Sequence, residues 1–290
     1  MSLYTDGYWW SHDDLRLHYR DYGAPNENPP IICIPGLTRN NRDWEPVAER
    51  LSAHWRVITV SLRGRGESAY AQDALTYVPL TYVRDIERLL IHLKIERFVL
   101  FGTSLGGIVT MLMAATGGER IAGALINDIG PVIEPAGLER IKSYVGRAAS
   151  WPTWLHAAHA QEELNAAIFP QFALSDWISM AKRTCRQTPT GRIVPDYDEK
   201  IAIPIKLPNS EPAFNMWPTL DGLTDKPVLI VRGALSDLLS EDTARGMLAR
   251  LPEAKLVTVP SVGHAPVLDE PEAAAGIDNL LKEVADWHWS

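Results

Sequence analysis

The chain has 290 residues, 46% hydrophobic and 22% charged, which excludes a disordered or fibrous chain and suits one large domain carrying an insertion. Lys and Arg number 28 against 36 Asp and Glu, a formal net charge of −8, so no basic field exists to hold nucleic acid or an anionic membrane surface. Cys33 and Cys185 are the only cysteines, too few for a disulfide framework or a Cys-rich metal site, and they point to a reducing compartment.

In chain order, the first ten residues carry no basic start and no apolar stretch, so no signal peptide is expected. No run of about 18 apolar residues suggests a membrane span, and a cytoplasmic protein acting on a small molecule is expected. Residues 15–22 alternate as a half-exposed strand, 31–34 read as a buried strand ending at Pro35-Gly36, and 44–51 as a first helix. Residues 56–60 form a strand before the turn-rich 63–66, and 82–93 place apolar residues on one helical face. A buried strand at 98–101, an apolar helix at 108–115 ended by Gly117-Gly118, and a strand at 122–127 follow.

The alternation breaks over 131–218, where helical pieces and prolines appear without a convincing buried strand. It resumes with a strand at 228–231, a helix at 242–251, a strand at 255–259 and a helix at 272–287. The pattern is that of an α/β domain with a mostly parallel sheet, in two pieces, 1–130 and 219–290, interrupted by a mainly helical insertion over 131–218.

The strongest chemical signal is Gly102-Thr103-Ser104-Leu105-Gly106, set between an apolar strand and an apolar helix. A bare G-x-S-x-G is common by chance, but strand–turn–helix is the context in which it makes a nucleophile elbow. Glycine is needed two residues either side because a sharp turn crowds those positions. The serine then faces a helix N-terminus, which favours developing negative charge.

Serine needs a base. His12, His18, His54, His92 and His288 lie in amphipathic or terminal segments and read as solvated, and His156 and His159 fall in the insertion. His264 alone follows a strand, 255–259, in a loop rich in small residues and proline, where a rigid scaffold can hold it at the C-terminal edge of the sheet beside the elbow. For the residue that orients the imidazole, Asp237, 27 positions before His264 and just past a strand, is favoured over Asp128, which also ends a strand. Oxyanion donors are expected from the backbone N–H groups of Leu105 and Leu37. Pro35 has no N–H, and Gly36 lets the backbone approach closely.

With these motifs in this order the chain resembles the serine-nucleophile branch of the α/β-hydrolase superfamily over nearly its whole length. The resemblance rests on the Gly36 loop, the turn Leu62-Arg63-Gly64-Arg65-Gly66-Glu67-Ser68, the elbow, Asp237 and Gly263-His264. It departs where many relatives carry His-Gly in the oxyanion loop, here Pro35-Gly36, and where many carry Asp and His, here Ser61 and Arg65. The resemblance implies the α/β-hydrolase fold with 131–218 as a helical cap, and acyl chemistry on an ester or lactone without metal or organic cofactor. C–C bond hydrolysis of the meta-cleavage type, acyl transfer and a ligand receptor on the same fold stand as alternatives. Gly36, Arg39, Trp151, Trp154 and Trp177 are candidate pocket residues, the tryptophans being equally explained by packing.

Overall fold

In a computed structural model describing residues 3–207 and 215–287, β3 (Ile31–Ile34) is a four-residue strand buried on both faces. Successive side chains leave a strand on opposite sides. Ile31 and Cys33 therefore join one hydrophobic cluster, and Ile32 and Ile34 another across the sheet. The same division holds in β5 (Phe98–Thr103), where Val99 and Phe101 face one way and Leu100 the other. It recurs in β6 (Ile121–Asn127) and β9 (Val228–Gly233).

These strands lie inside an eight-stranded sheet of order β1-β2-β4-β3-β5-β6-β9-β10. The remaining members are β1 (Tyr4–Trp10), β2 (Arg16–Tyr22), β4 (Val57–Ser61) and β10 (Ala254–Val259). β1–β2 and β2–β4 pair antiparallel, and the six strands from β4 to β10 run parallel. One face is covered by α1 (Glu45–Leu51) and α9 (Pro271–Asp286), the other by α2 (Pro79–Leu93), α3 (Leu105–Gly117) and α8 (Glu241–Arg250). Among the described residues no helix is long and apolar enough to cross a membrane.

Two features escape sequence periodicity. β1 is an edge strand in which Trp9 alone is fully buried, so its residues carry little alternation and its order comes from pairing with β2. α3 starts at Leu105 rather than 108, because Gly106 and Gly107 are poor helix formers that tertiary packing nonetheless holds helical. His18, expected in solvent, is 2% exposed on β2 and bonded to Asp6 at 2.8 Å. His288 lies outside the described residues.

Between β6 and β9 the chain leaves the sheet. It forms α4 (Pro135–Tyr144), α5 (Trp154–Asn165), α6 (Leu174–Thr184) and α7 (Ala202–Lys206), with a two-stranded hairpin of β7 (Cys185–Gln187) and β8 (Ile193–Pro195). The hairpin was not anticipated, since three-residue strands are too short to show a period. This segment has its own apolar cluster around Phe169, Trp177, Met180 and Ile193. Residues 208–214, within the stretch expected as insertion, lie outside the described residues.

The turn after β4 is fixed by charge. Arg63, fully buried, donates to both oxygens of Asp85 on α2 at 2.7 Å, and to both oxygens of Asp13, in the β1–β2 turn, at 2.7 and 2.8 Å. One guanidinium thus ties the sheet edge to a helix, with its desolvation offset by paired hydrogen bonds. Its hydrogen bond holds the Asp13 carboxyl well below the usual value of 3.8, while burial pushes Asp85 up. Because the folded-state pKa of Asp13 is lowered, its stabilisation is present above the unfolded value and lost as pH falls through the folded one. Asp13→Asn should lower Tm at pH 7 by about 2–4 °C, on the order of 1 kcal/mol after discounting for partial exposure. In a calorimetric pH series, that gap should close as pH falls below about 3.8.

Candidate active site

Ser104 sits between β5 and α3 with φ 53° and ψ −114°. This positive-φ backbone costs on the order of 1–3 kcal/mol and persists only where its surroundings enforce it. Here they do. The Ser104 amide donates to the Asn127 carbonyl at 2.9 Å, fastening the turn to β6. A Cβ at Gly106 would overlap the Ile34 carbonyl oxygen, and one at Gly102 would overlap the Gly106 carbonyl oxygen. The glycines two residues either side of the serine are thus required by backbone contact, as the sequence argument expects.

His264 lies in the loop after β10, 9% exposed, with Nε2 2.8 Å from the Ser104 hydroxyl and Nδ1 2.8 Å from Asp128 Oδ2. Asp128 follows β6 directly and is fully buried. Its Oδ1 accepts from the Gly233 amide at 2.7 Å, and its Oδ2 also accepts from the Ser236 hydroxyl at 2.6 Å. Three donors therefore replace the water lost on burial.

The expectation that Asp237 partners His264 is corrected. Asp237 lies farther along the loop after β9, its side chain 34% exposed, and pairs with Arg140 of α4 through bonds of 2.6 and 2.8 Å. The Arg140 hydrogen bond holds its carboxyl below the usual range. Both aspartates follow a strand and lie between Ser104 and His264 in sequence, so order does not separate them. Strand adjacency separates them: Asp128 directly follows β6, which pairs in register with the elbow strand, Thr103 facing Asn127. Ser236 and Gly233, which complete the Asp128 environment, were not anticipated, and neither was Arg140.

Leu105 opens α3, so its amide has no acceptor one turn earlier. Gly36 and Leu37 line the cavity over Ser104, and a Cβ on Gly36 would stand 3.7 Å from the Ser104 Cβ. Arg65 holds this loop from behind. Fully buried, it donates from Nε to the Leu37 carbonyl at 2.9 Å, and from Nη1 to the Arg63 carbonyl at 2.6 Å and the Tyr82 hydroxyl at 3.1 Å. The residue that departs from the common pattern is therefore structural and fastened to the loop carrying Leu37.

The cavity over Ser104 measures about 80 Å³, with Arg39, Ile141, Tyr144 and Phe169 in its wall. A second, about 250 Å³, shares Thr38, Arg39, Tyr144 and Asn165 with it. Of the candidate tryptophans, Trp151 lines the second cavity. Trp177 does not line either: it is 1% exposed and packs against Phe172 and Phe169, ring centroids 4.9 and 6.3 Å away. Trp154 packs against the same cluster and also lines neither cavity.

Residues 31–277 match the model of the alpha/beta hydrolase family, and the chain belongs to that family. It is 32% identical over 279 residues to a 3-hydroxybutyrate-oligomer hydrolase of Cupriavidus necator, covering 90% of each chain. It is 27% identical over 253 residues to a 2-(acetamidomethylene)succinate hydrolase of Mesorhizobium japonicum, covering 86% of this chain and 85% of the other. Among solved structures, an alpha/beta hydrolase from Novosphingobium aromaticivorans superimposes with a TM-score of 0.93 at 49% identity, covering 98% of this chain and 99% of that one.

Gly106→Ala tests the elbow geometry. Overpacking against the Ile34 carbonyl should cost about 1–3 kcal/mol in urea unfolding, with an unchanged m-value.

Proposed function

We propose that the protein is a serine hydrolase that cleaves a small-to-medium carboxylic ester through an acyl-enzyme on Ser104. The observation that carries the reading is the unbroken hydrogen-bonded chain from Ser104 through His264 to Asp128, with 2.8 Å at each link. In this scheme the Ser104 hydroxyl attacks the ester carbonyl carbon while His264 Nε2 takes its proton. The backbone amides of Leu37 and Leu105 hold the oxyanion. His264 then passes the proton to the departing alkoxide, leaving the acyl group on Ser104. Water attacks the acyl carbon, gives its proton to His264, and the acid departs as Ser104 regains its hydrogen. Asp128 holds the Nδ1–H tautomer and stabilises the imidazolium.

The segment 131–218 acts as a cap in this reading, contributing Arg140, Tyr144 and Phe169 to the wall above Ser104. The likeness to an oligomer hydrolase favours esters of hydroxy acids, and a lactone would follow the same steps. C–C bond hydrolysis predicts turnover of a ring-cleavage dienoate and none of simple esters.

The tests are direct. Hydrolysis of p-nitrophenyl acetate and butyrate should be lost in Ser104→Ala, and its persistence would overturn the acyl-enzyme. Asp128→Asn should lower kcat by roughly three to four orders of magnitude, since the imidazole would be held in the wrong tautomer. Asp237→Asn should lower it by no more than about tenfold, because its carboxylate serves Arg140 and reaches the reaction only through the electrostatic field. Comparable losses in the two variants would reject Asp128 as the orienting residue.

A further inference from the structure

The second cavity is walled asymmetrically in charge. Two guanidinium groups, Arg39 and Arg147, line it, and among the described residues no aspartate or glutamate does. Arg140, in the wall above Ser104, is neutralised by its two-bond pair with Asp237. Arg39 has no such partner. Its nearest acid, Asp43, stands 3.6 Å away and also faces Arg183 at 3.9 Å, so one carboxylate is divided between two cations. Arg147 makes no ion pair among the described residues and is exposed, which places it at the cavity mouth. Burial pushes the Tyr144 hydroxyl and the Cys185 thiol up, and in both the positive charge of Arg39 opposes that rise, so its field reaches the cavity wall. Thr38, which lines both this cavity and the one over Ser104, adds a neutral hydroxyl where the two share a wall.

We propose that this second cavity is an anion subsite for the free carboxylate of a substrate whose ester carbonyl lies at Ser104. The inference rests on the serine-hydrolase reading and narrows it to esters that carry a carboxylate. A partly buried guanidinium without a matched counter-charge gains most from a ligand that supplies one, because charge-assisted hydrogen bonds strengthen as water is excluded. An amide of the same shape offers no charge to Arg39 or Arg147, so the subsite selects by charge rather than by size.

Two acid–amide pairs test this. In 3-acetoxybutyrate and 3-acetoxybutyramide the charge sits on the alcohol half, and in monoethyl glutarate and ethyl glutaramate on the acyl half. The acid of at least one pair should exceed its amide in kcat/KM by about 10–100-fold. Arg147→Ala and Arg39→Gln should each shrink that ratio, mainly through KM, and Arg147→Glu should reverse it. Equal values for acid and amide in both pairs, or a ratio untouched by all three substitutions, would overturn the subsite.

Calorimetric titration of Ser104→Ala with each acid and amide reads the subsite without turnover. Tighter binding of an acid, abolished by adding Arg147→Ala, supports it even if the hydrolytic reading fails, and equal binding refutes it. Hydrolysis of the amide probes that survives Ser104→Ala would overturn the hydrolytic reading alone.

Discussion

The Gly106 backbone lies so close to the Ile34 carbonyl that no side chain fits between them. That contact sets the start of α3 against the end of β3, and with it the turn that holds Ser104 at positive φ. Gly102 extends the same packing to the end of β5. The Asn127 side-chain amide then donates to the Thr103 hydroxyl at 3.1 Å and to the Pro266 carbonyl at 2.8 Å, joining the elbow strand to the histidine loop. Strain at one residue is thus carried by backbone contacts on both sides of it, which is how such conformations persist.

Charge is distributed with equal economy. Two buried ionic groups in the frame are fully partnered: Arg63 with Asp13 and Asp85, and Asp128 with Gly233, Ser236 and His264. Asp237 and Arg140 cancel one another at the cavity wall. Arg39 and Arg147 stand apart from this scheme. Arg39 shares Asp43 with Arg183 and Arg147 is exposed and outside any ion pair among the described residues, so positive charge stays available on this cavity wall.

The segment between β6 and β9 is more than a cover. Its Ile168 carbonyl accepts from the Gly263 amide at 2.8 Å, one residue before His264, and its apolar cluster packs against Val262 and Val267 on either side of that histidine. The histidine loop is further held by Glu270, whose carboxylate accepts from the Val267 and Leu268 amides at 2.9 and 2.8 Å. Movement of the segment would therefore be felt at His264 as well as at the cavity wall.

Local chemistry determined much of this protein. Apolar runs such as 31–34 and 98–101 announce strands buried on both faces, and a G-x-S-x-G between strand and helix announces the elbow, because steric crowding there is independent of the rest of the fold. His264 was legible from local sequence too: its small-residue loop directly follows a strand, β10. Periodicity carried no information on β1, held by edge pairing, or on the three-residue strands of the hairpin. The partner of His264 was decided only by tertiary structure. Asp128 and Asp237 are equivalent in order and similar in local setting, and strand adjacency sets one behind the imidazole while Arg140, distant in sequence, draws the other away. The same holds for Trp177, Arg65 and Arg39. Whether a tryptophan is core or wall, and whether an arginine is paired or free, depends on partners that sequence spacing does not specify.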